Sequence, residues 1–425
     1  MFFDNHTLYA KWVRDICEAQ REDGCIPDVA PAFWNYYTDN VTWPAALPMV
    51  CDMLIEQYAD TVPARMAYPH IARWMEHIIA EYSRDGIVTR DRYGDWCVPP
   101  ESPELIHSKD PARKTDGALI STAYTARCLA LLEKFATMQG LGDDAARWRT
   151  LREKTSEAFN RRFLTNRPGT SPKPGHPLYP DSIFYGTNTP TANVLALAFG
   201  LVPDSLRHAV ADNLAARIIT EGNTHITTGV IGTSWLLRTL TANGRGDLAW
   251  TLATNRTYPS WGYMAEKGAT TTWELWNGDT ANPAMNSGNH VMLLGDLLAW
   301  VQQDLCGIRN GSQPGRYVFE ADWSIPDCEY ASTSRPTPWG KIQSRWERDW
   351  RRLTWHITLP SGTSGEVRLP DGSVSEIGPG THTVGCELPL PHPLVTDAAH
   401  LYTRTSFPQC HAATIVETRE GDLVA

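Results

Sequence analysis

The stretch Trp261–His290, reading WGYMAEKGATTTWELWNGDTANPAMNSGNH, gathers residue types that can move protons and hold sugars. One carboxylate, Glu274, lies between Trp273 and Trp276, and an Asn/Gly-rich turn then delivers His290. Flanking indoles make low-dielectric surroundings, which suit a carboxyl group to proton transfer near neutral pH. Exposed indole faces are also the usual platform for sugar rings, so the pattern is glycosidase-like. A plainer arrangement is open from the same residues, with Trp273 and Trp276 as core side chains three apart and Glu274 facing solvent.

Composition narrows the choice of ligand. The chain has 425 residues, enough for a large core and a smaller companion. Charged residues make up 20% and hydrophobic ones 42%, the balance of a globular protein. With a formal net charge of −10 and no basic run, nothing here neutralises phosphates, which excludes a nucleic-acid partner. Seventeen tryptophans exceed what packing asks of this length and favour a neutral carbohydrate. The nine cysteines form no CxxC or other ligand spacing, and the thirteen histidines show neither HxxxH nor HxH. The cysteines read as reduced thiols, and no metal or cofactor is expected. No basic n-region precedes an apolar run, and no stretch reaches the ~20 apolar residues of a membrane span. The chain as given therefore reads as cytoplasmic and not membrane-bound, unless Met1 is not the natural start of the polypeptide.

The elements that must position these residues are mostly helices. Helical spacing covers residues 5–20, then a helix capped by Thr42 with Pro44 in its first turn, then Pro63–Tyr82 with Pro69 marking its first turn. Further helices are expected at Gly117–Met138, Asp144–Phe163, Thr191–Gly200, Leu206–Thr220, Thr228–Asn243, Asp247–Asn255 and His290–Leu305. Between them lie aromatic and acidic loops, among them Gly24–Asn40, Asp91–Glu101 and the Pro/Gly-rich Leu164–Pro190. Alternating helix and loop is what a toroid of paired helices needs, with the site on one rim. After Cys306 the texture changes to short period-two runs such as Arg352–Leu359 and Gly365–Leu369, split by Pro-Ser-Gly and Pro-Asp-Gly turns. These predict a small antiparallel β-sandwich over residues 345–410. The division expected is a barrel over 1–305 and a linker with the sandwich over 306–425.

At the Glu274–His290 segment the sequence resembles the bacterial and fungal α-L-rhamnosidases of glycoside hydrolase family 78. The likeness runs through KWVRDICEAQREDGCIPDVAP, DNVTWPAALPMV, YGDW, TTTWELWNG with MNSGNH, and WHITLPSGTSGEVRLP, in that order along the whole chain. It implies a mainly α fold, an (α/α)6 toroid, followed by the sandwich, and hydrolysis of terminal α-L-rhamnose with inversion. It implies that Glu274 is the general base that activates water, that His290 contacts a sugar hydroxyl, and that Trp43 and Trp96 wall the ring. Inversion needs two carboxyls ~6.5–9.5 Å apart, with room for water between them. Rhamnose-containing glycosides or oligosaccharides are the implied partners.

One departure accompanies the likeness. The family's general acid stands in an Arg-Asp-Glu-Arg type segment that lies before the helix with which this chain begins, and no such motif occurs here. The toroid is therefore expected to be incomplete at its N-terminus, the activity impaired, and the chain prone to associate with a missing N-terminal part or with itself. Asp28, Asp39, Asp95 and Glu101 could replace the acid, and Asp95, within YGDW, is the foremost of these and is counted with the substrate-binding residues. Two alternatives stay open: a non-catalytic sugar-binding remnant, or another (α/α)6 glycosidase or phosphorylase.

Overall fold

A computed structural model describes residues 4–167, 182–282, 287–349, 351–388, 416–417 and 423–424. Its helices are α1 (His6–Glu18), α2 (Ala46–Tyr58), α3 (Val62–Tyr82), α4 (Gly117–Met138), α5 (Gly142–Phe163) and α6 (Pro190–Ala198). They continue as α7 (Arg207–Thr220), α8 (Val230–Thr233), α9 (Leu236–Ala242), α10 (Gly246–Thr254), α11 (Trp261–Glu266) and α12 (Leu297–Trp300). Packing separates them into two rings. Helices α2, α4, α6 and α9 touch one another in turn, and each is covered by the helix after it: α3, α5, α7 and α10.

The reason lies in their faces. Every residue of α4 from Leu119 to Ala126 is buried, as is every residue of α6 from Thr191 to Leu197. A helix apolar all round belongs in the interior. Its few hydroxyls are satisfied locally: Ser121 donates to the Arg90 carbonyl at 2.6 Å and Thr125 to that of Ser121 at 2.8 Å. Helix α5 instead buries one stripe, Trp148, Thr155, Phe159 and Phe163, and turns its arginines outward. The fold is the expected helical toroid, with its inner ring built from the least polar helices.

Three local expectations differ from the structure. Helix α3 starts at Val62, so Pro69 lies inside it, where it removes one backbone hydrogen bond. Burial of Tyr68, Ile71, Trp74 and Met75 on the same helix offsets that loss. Thr42 does not cap α2, whose first turn begins after Ala45; the Thr42 hydroxyl is buried and accepts from Asn40 Nδ2 at 2.7 Å. The helices expected at Thr228–Asn243 and His290–Leu305 are both broken. The first splits into α8 and α9 because the Asp296 carboxylate accepts the Leu237 and Arg238 amides at 3.2 and 3.0 Å and so starts a new helix there. The second breaks at Gly295, with φ 57°, where a Cβ would lie 2.5 Å from Thr233.

Two short hairpins join outer elements: β1 (Ser83–Arg84) with β2 (Ile87–Val88), and β3 (Leu164–Arg167) with β4 (Ser182–Tyr185). The latter pair occupies the ends of the expected Leu164–Pro190 loop, whose residues 168–181 lie outside the described residues. The C-terminal part is a sandwich of β5 (Ile308–Asn310), β6 (Arg316–Phe319), β7 (Tyr330–Thr337), β8 (Gly340–Arg348), β9 (Arg352–Leu359), β10 (Ser364–Arg368), β11 (Val374–Ile377) and β12 (Gly380–Glu387). One sheet runs β11-β10-β6-β5 and the other β12-β9-β8-β7. The sandwich is not wholly antiparallel as expected, since β10 returns from the second sheet to pair in parallel with β6. Trp346 and Trp355 face each other in register and are buried. Trp346 Nε1 donates to the Leu305 carbonyl at 2.8 Å and Ser344 to that of Cys306 at 2.7 Å, which seats the sandwich on the end of the helical part. The expected continuation to residue 410 lies, from residue 389, outside the described residues.

Candidate active site

Glu274 lies on a turn, not a helix, so Trp273 and Trp276 do not share one face. Trp276 is buried, donates Nε1 to the Thr228 carbonyl at 3.1 Å, and meets Trp261 edge to face at 5.7 Å. Trp273 is half-buried and lies over Gly278, where a Cβ would come within 2.7 Å of the ring. The plainer reading therefore describes Trp276, while Glu274 is half-buried and held at its backbone. Its amide donates to the Ser287 carbonyl at 2.9 Å, and its Oε2 accepts the Ser287 amide at 3.3 Å. The His290 amide donates to the Thr272 carbonyl at 2.8 Å. These antiparallel contacts bring His290 beside the Glu274 turn, although residues 283–286 between them lie outside the described residues. His290 Nδ1 is buried with no hydrogen-bond partner among the described residues.

Buried Asn277 secures the turn from below. Its amide donates to the Pro103 and Leu105 carbonyls at 2.7 and 2.9 Å, and Thr280 also donates to Pro103 at 2.7 Å. This pins the Glu274 turn to the loop that carries His107. His107 lies 4.5 Å, ring to ring, from Trp96. Burial holds the His107 imidazole below its ordinary range, against the pull of the nearby Glu274 charge. Burial likewise pushes the Cys97 thiol up, with Glu274 adding to it. The carboxylate of Glu274 is thus electrostatically in reach of the Trp96–Cys97–His107 wall.

A row of rings continues from Trp96. Trp43, in the turn before α2, packs on Tyr93 at 4.6 Å, and Tyr93 meets Trp96 edge to face at 6.0 Å. Tyr93 is fixed by Asp28, which accepts its hydroxyl at 2.6 Å and that of Thr38 at 2.8 Å. Burial raises the Asp28 carboxyl above its usual range, with those two hydrogen bonds opposing. A cavity of about 380 Å³ is lined by Tyr93, Trp96, Cys97, His107, Ser108 and Lys114. A larger hollow of about 550 Å³, between α3 and α5, is lined by Ile79, Trp148 and Leu151 and by Glu76 and Arg147, which are ion-paired with each other at 2.7 Å.

Asp95 is not placed as expected. The residue is half-buried, but both carboxylate oxygens are engaged inside the protein. Oδ2 accepts the Gly229 amide at 2.8 Å and the Thr191 hydroxyl; Oδ1 accepts the amides of Ile231 at 2.8 Å and Gly232 at 3.1 Å. Burial pushes this carboxyl up while the hydrogen bonds oppose. Asp95 therefore caps α8 and ties it under Trp96, whose carbonyl accepts the Val230 amide at 2.7 Å. It is a positioning residue, with no oxygen left over for a sugar or for proton donation.

Two other candidate acids are also committed elsewhere. Glu101 accepts from Ser108 at 2.7 Å and from the Lys109 amide, which holds its carboxyl down to about 2, unsuited to donating a proton. Burial would raise Asp39, but hydrogen bonds from Cys25, Tyr82 and His77 outweigh it and hold that carboxyl low. Sequence reasoning singled out neither Tyr93 nor His107 nor Asn277. Tyr93 stands in the quoted YGDW, two residues from Asp95, and Asn277 in the quoted TTTWELWNG, whereas His107 lies in none of the quoted segments.

Comparison with known proteins gives this geometry its context. Residues 1–305 match the model of the bacterial alpha-L-rhamnosidase six-hairpin glycosidase domain, and residues 321–383 that of the bacterial alpha-L-rhamnosidase C-terminal domain. An alpha-L-rhamnosidase of Streptomyces avermitilis is 32% identical over 367 residues, covering 85% of this chain and 32% of its own length. One of Alteromonas sp. is 29% identical, covering 86% of this chain and 38% of its own. The chain thus spans about a third of the length of these curated relatives. Among solved structures, the alpha-L-rhamnosidase from Dictyoglumus thermophilum superposes with a TM-score of 0.80 at 28% identity, over 91% of this chain and 44% of that one. The Streptomyces avermitilis alpha-L-rhamnosidase complexed with L-rhamnose superposes with a TM-score of 0.76 at 29% identity, over 90% of this chain and 36% of that one. With a six-hairpin match over 1–305 and the C-terminal match behind it, the chain belongs to the bacterial alpha-L-rhamnosidases.

Proposed function

We propose that this chain binds terminal α-L-rhamnose and carries the base side of an inverting glycoside hydrolase. Glu274 deprotonates the attacking water, His290 contacts a ring hydroxyl through its unpartnered Nδ1, and Trp43 and Trp96 hold the sugar face. The single observation that supports this most is the pinning of the Glu274 turn, through Asn277, against the loop that carries His107 beside Trp96. A base is useful only if it is fixed relative to the ring it attacks. The barrel would occupy residues 1–305, and the linker and sandwich residues 306–425. The described cysteines are all free thiols, which supports a reducing compartment such as the cytoplasm. No helix among the described residues is long and apolar enough to cross a membrane.

Hydrolysis of p-nitrophenyl α-L-rhamnoside tests the reading, with Glu274→Gln as the control. Turnover by the chain that falls at least 100-fold in Glu274→Gln is the expected result; unchanged turnover would remove Glu274 from the role of base. A second reading, rhamnose binding without hydrolysis, is favoured by the engagement of Asp39, Asp95 and Glu101; of the four candidate acids Asp28 alone keeps an oxygen, Oδ1, with no hydrogen-bond partner among the described residues. Saturable rhamnose binding by a chain with no turnover would select it.

A further inference from the structure

Away from the sugar cavity, the loop between α1 and α2 meets α3 through three side chains of unlike chemistry. The Cys25 sulfur, an Asp39 carboxylate oxygen and a His77 ring nitrogen all lie within 4.8 Å of one another. Cys25 is 3% exposed, and Asp39 and His77 are largely buried. His77 Nε2 is 2.8 Å from Asp39 Oδ1, and the Tyr82 hydroxyl donates to the other Asp39 oxygen at 2.5 Å. Asp39 stands at φ 56°, a left-handed conformation in which a residue other than glycine is uncommon. Gly24, beside Cys25, packs so closely on α3 that a Cβ would lie 2.9 Å from the Arg73 carbonyl.

We infer that Cys25, Asp39 and His77 form a binding site for one divalent transition cation of the zinc type. The ligand set is the first support. A thiolate, an imidazole and a carboxylate together select a borderline-soft ion over calcium or magnesium. Spacing is the second. Tetrahedral zinc with bonds of ~2.0–2.3 Å needs ligand atoms roughly 3.3–3.7 Å apart, so the His77–Asp39 pair, now 2.8 Å apart, opens by about half an ångström and the widest pair, at most 4.8 Å, closes by no more than about 1–1.5 Å. Charge is the third. Thiolate, carboxylate and neutral imidazole sum to two negative charges, which a divalent ion cancels inside a largely buried cluster. The Tyr82 hydroxyl supplies an outer partner that orients the Asp39 carboxylate.

Binding replaces the thiol proton: the S–H bond breaks, the sulfur–metal bond forms, and one proton leaves to solvent. The His77 proton moves from Nε2 to Nδ1, freeing Nε2 to ligate. The fourth position is left for water. The ion would staple the loop carrying Asp28 to α3, and Asp28 in turn holds Tyr93 between Trp43 and Trp96. The site is therefore structural, and its existence does not depend on the proposed hydrolysis.

The test uses the untagged full chain, stripped with a chelator and titrated with Zn²⁺ by calorimetry and with Co²⁺ by absorption. One equivalent of Zn²⁺ is expected, together with a thiolate-to-cobalt charge-transfer band. Loss of an outer-sphere partner alone weakens metal sites by about 10–100-fold, so Cys25→Ser is expected to weaken Zn²⁺ binding by at least ~100-fold and to abolish the band. His77→Asn should weaken binding comparably, with the far-ultraviolet circular dichroism of both variants retained. Absence of stoichiometric binding by the unsubstituted chain, or of the charge-transfer band, overturns the inference even if Cys25→Ser fails to fold. So does tight binding that survives Cys25→Ser, and in either case the cluster is only a hydrogen-bond network around Asp39.

Discussion

Replacing Asp95 by Asn separates a positioning role from a chemical one. The carboxylate accepts three backbone amides and one hydroxyl. In Asp95→Asn the amide oxygen can keep the Ile231 and Gly232 amides, but the new NH2 group then faces the Gly229 amide, donor against donor. One buried N–H is orphaned, at about 1–3 kcal/mol, and two bonds lose their charge assistance, at roughly 0.5 kcal/mol each. The sum is about 2–4 kcal/mol, a large share of the ~5–15 kcal/mol that holds a domain folded. A structural consequence accompanies it. The freed segment Gly229–Thr233 follows Thr228, whose carbonyl holds Trp276, two residues from Glu274. The wall carrying Trp96 and the turn carrying Glu274 therefore loosen together. Urea denaturation followed by tryptophan fluorescence and circular dichroism measures the first effect, and rhamnose titration the second. A midpoint shift worth under ~0.5 kcal/mol, with rhamnose binding lost, would refute the reasoning and return Asp95 to the sugar contacts.

Two further outcomes follow from other buried groups. The Tyr93 hydroxyl bonded to Asp28 fixes the ring between Trp43 and Trp96, so Tyr93→Phe should weaken rhamnose binding by about 3–10-fold, the worth of roughly one hydrogen bond, without a change in fold. Equal affinity in the variant would show that the wall does not need this anchor. At the seat of the sandwich, burial pushes the Asp304 carboxyl up to about 6, with Arg309 and then Arg238 opposing. Its raised value means the folded state keeps a proton that the unfolded state has lost, so this group's contribution to stability falls as pH rises from about 4 to about 6 and is level above. The difference is on the order of 3 kcal/mol. Asp304→Asn should flatten the dependence of the urea midpoint between pH 4 and 7; an unaltered slope would count against it.

Much of the helical toroid was legible because helix faces repeat at short range. The bounds of α4, Gly117–Met138, coincide with the expected ones, since Asp116 caps it and apolar residues continue to its last turn. The two broken helices were not legible, because the carboxylate that starts α9, Asp296, is separated from it by more than fifty residues. Glu274 and His290 lie side by side in the structure because one local segment carries both. Tyr93, His107 and Asn277 were not legible as site residues, because each matters through a neighbour distant in sequence. The same is true of Cys25, Asp39 and His77, whose spacing matches no ligand motif although their side chains meet.

The sequence by itself determined the family, the alternation of helix and rim loop, and the change to strands after Cys306, and it singled out the segment proposed to carry the base. These rest on residue order and on periodicities of two and 3.6, which act between near neighbours. Only the tertiary structure decided what each carboxylate does. Asp95, Asp296 and Asp39 are ordinary aspartates in the sequence. Their fates follow from which unpaired donor lies nearest in space: the Gly229 amide and two amides of α8 for Asp95, two amides of α9 for Asp296, and a histidine, a tyrosine and a thiol for Asp39. A buried carboxylate is costly until it is satisfied, and the chain order does not say where its partner will be.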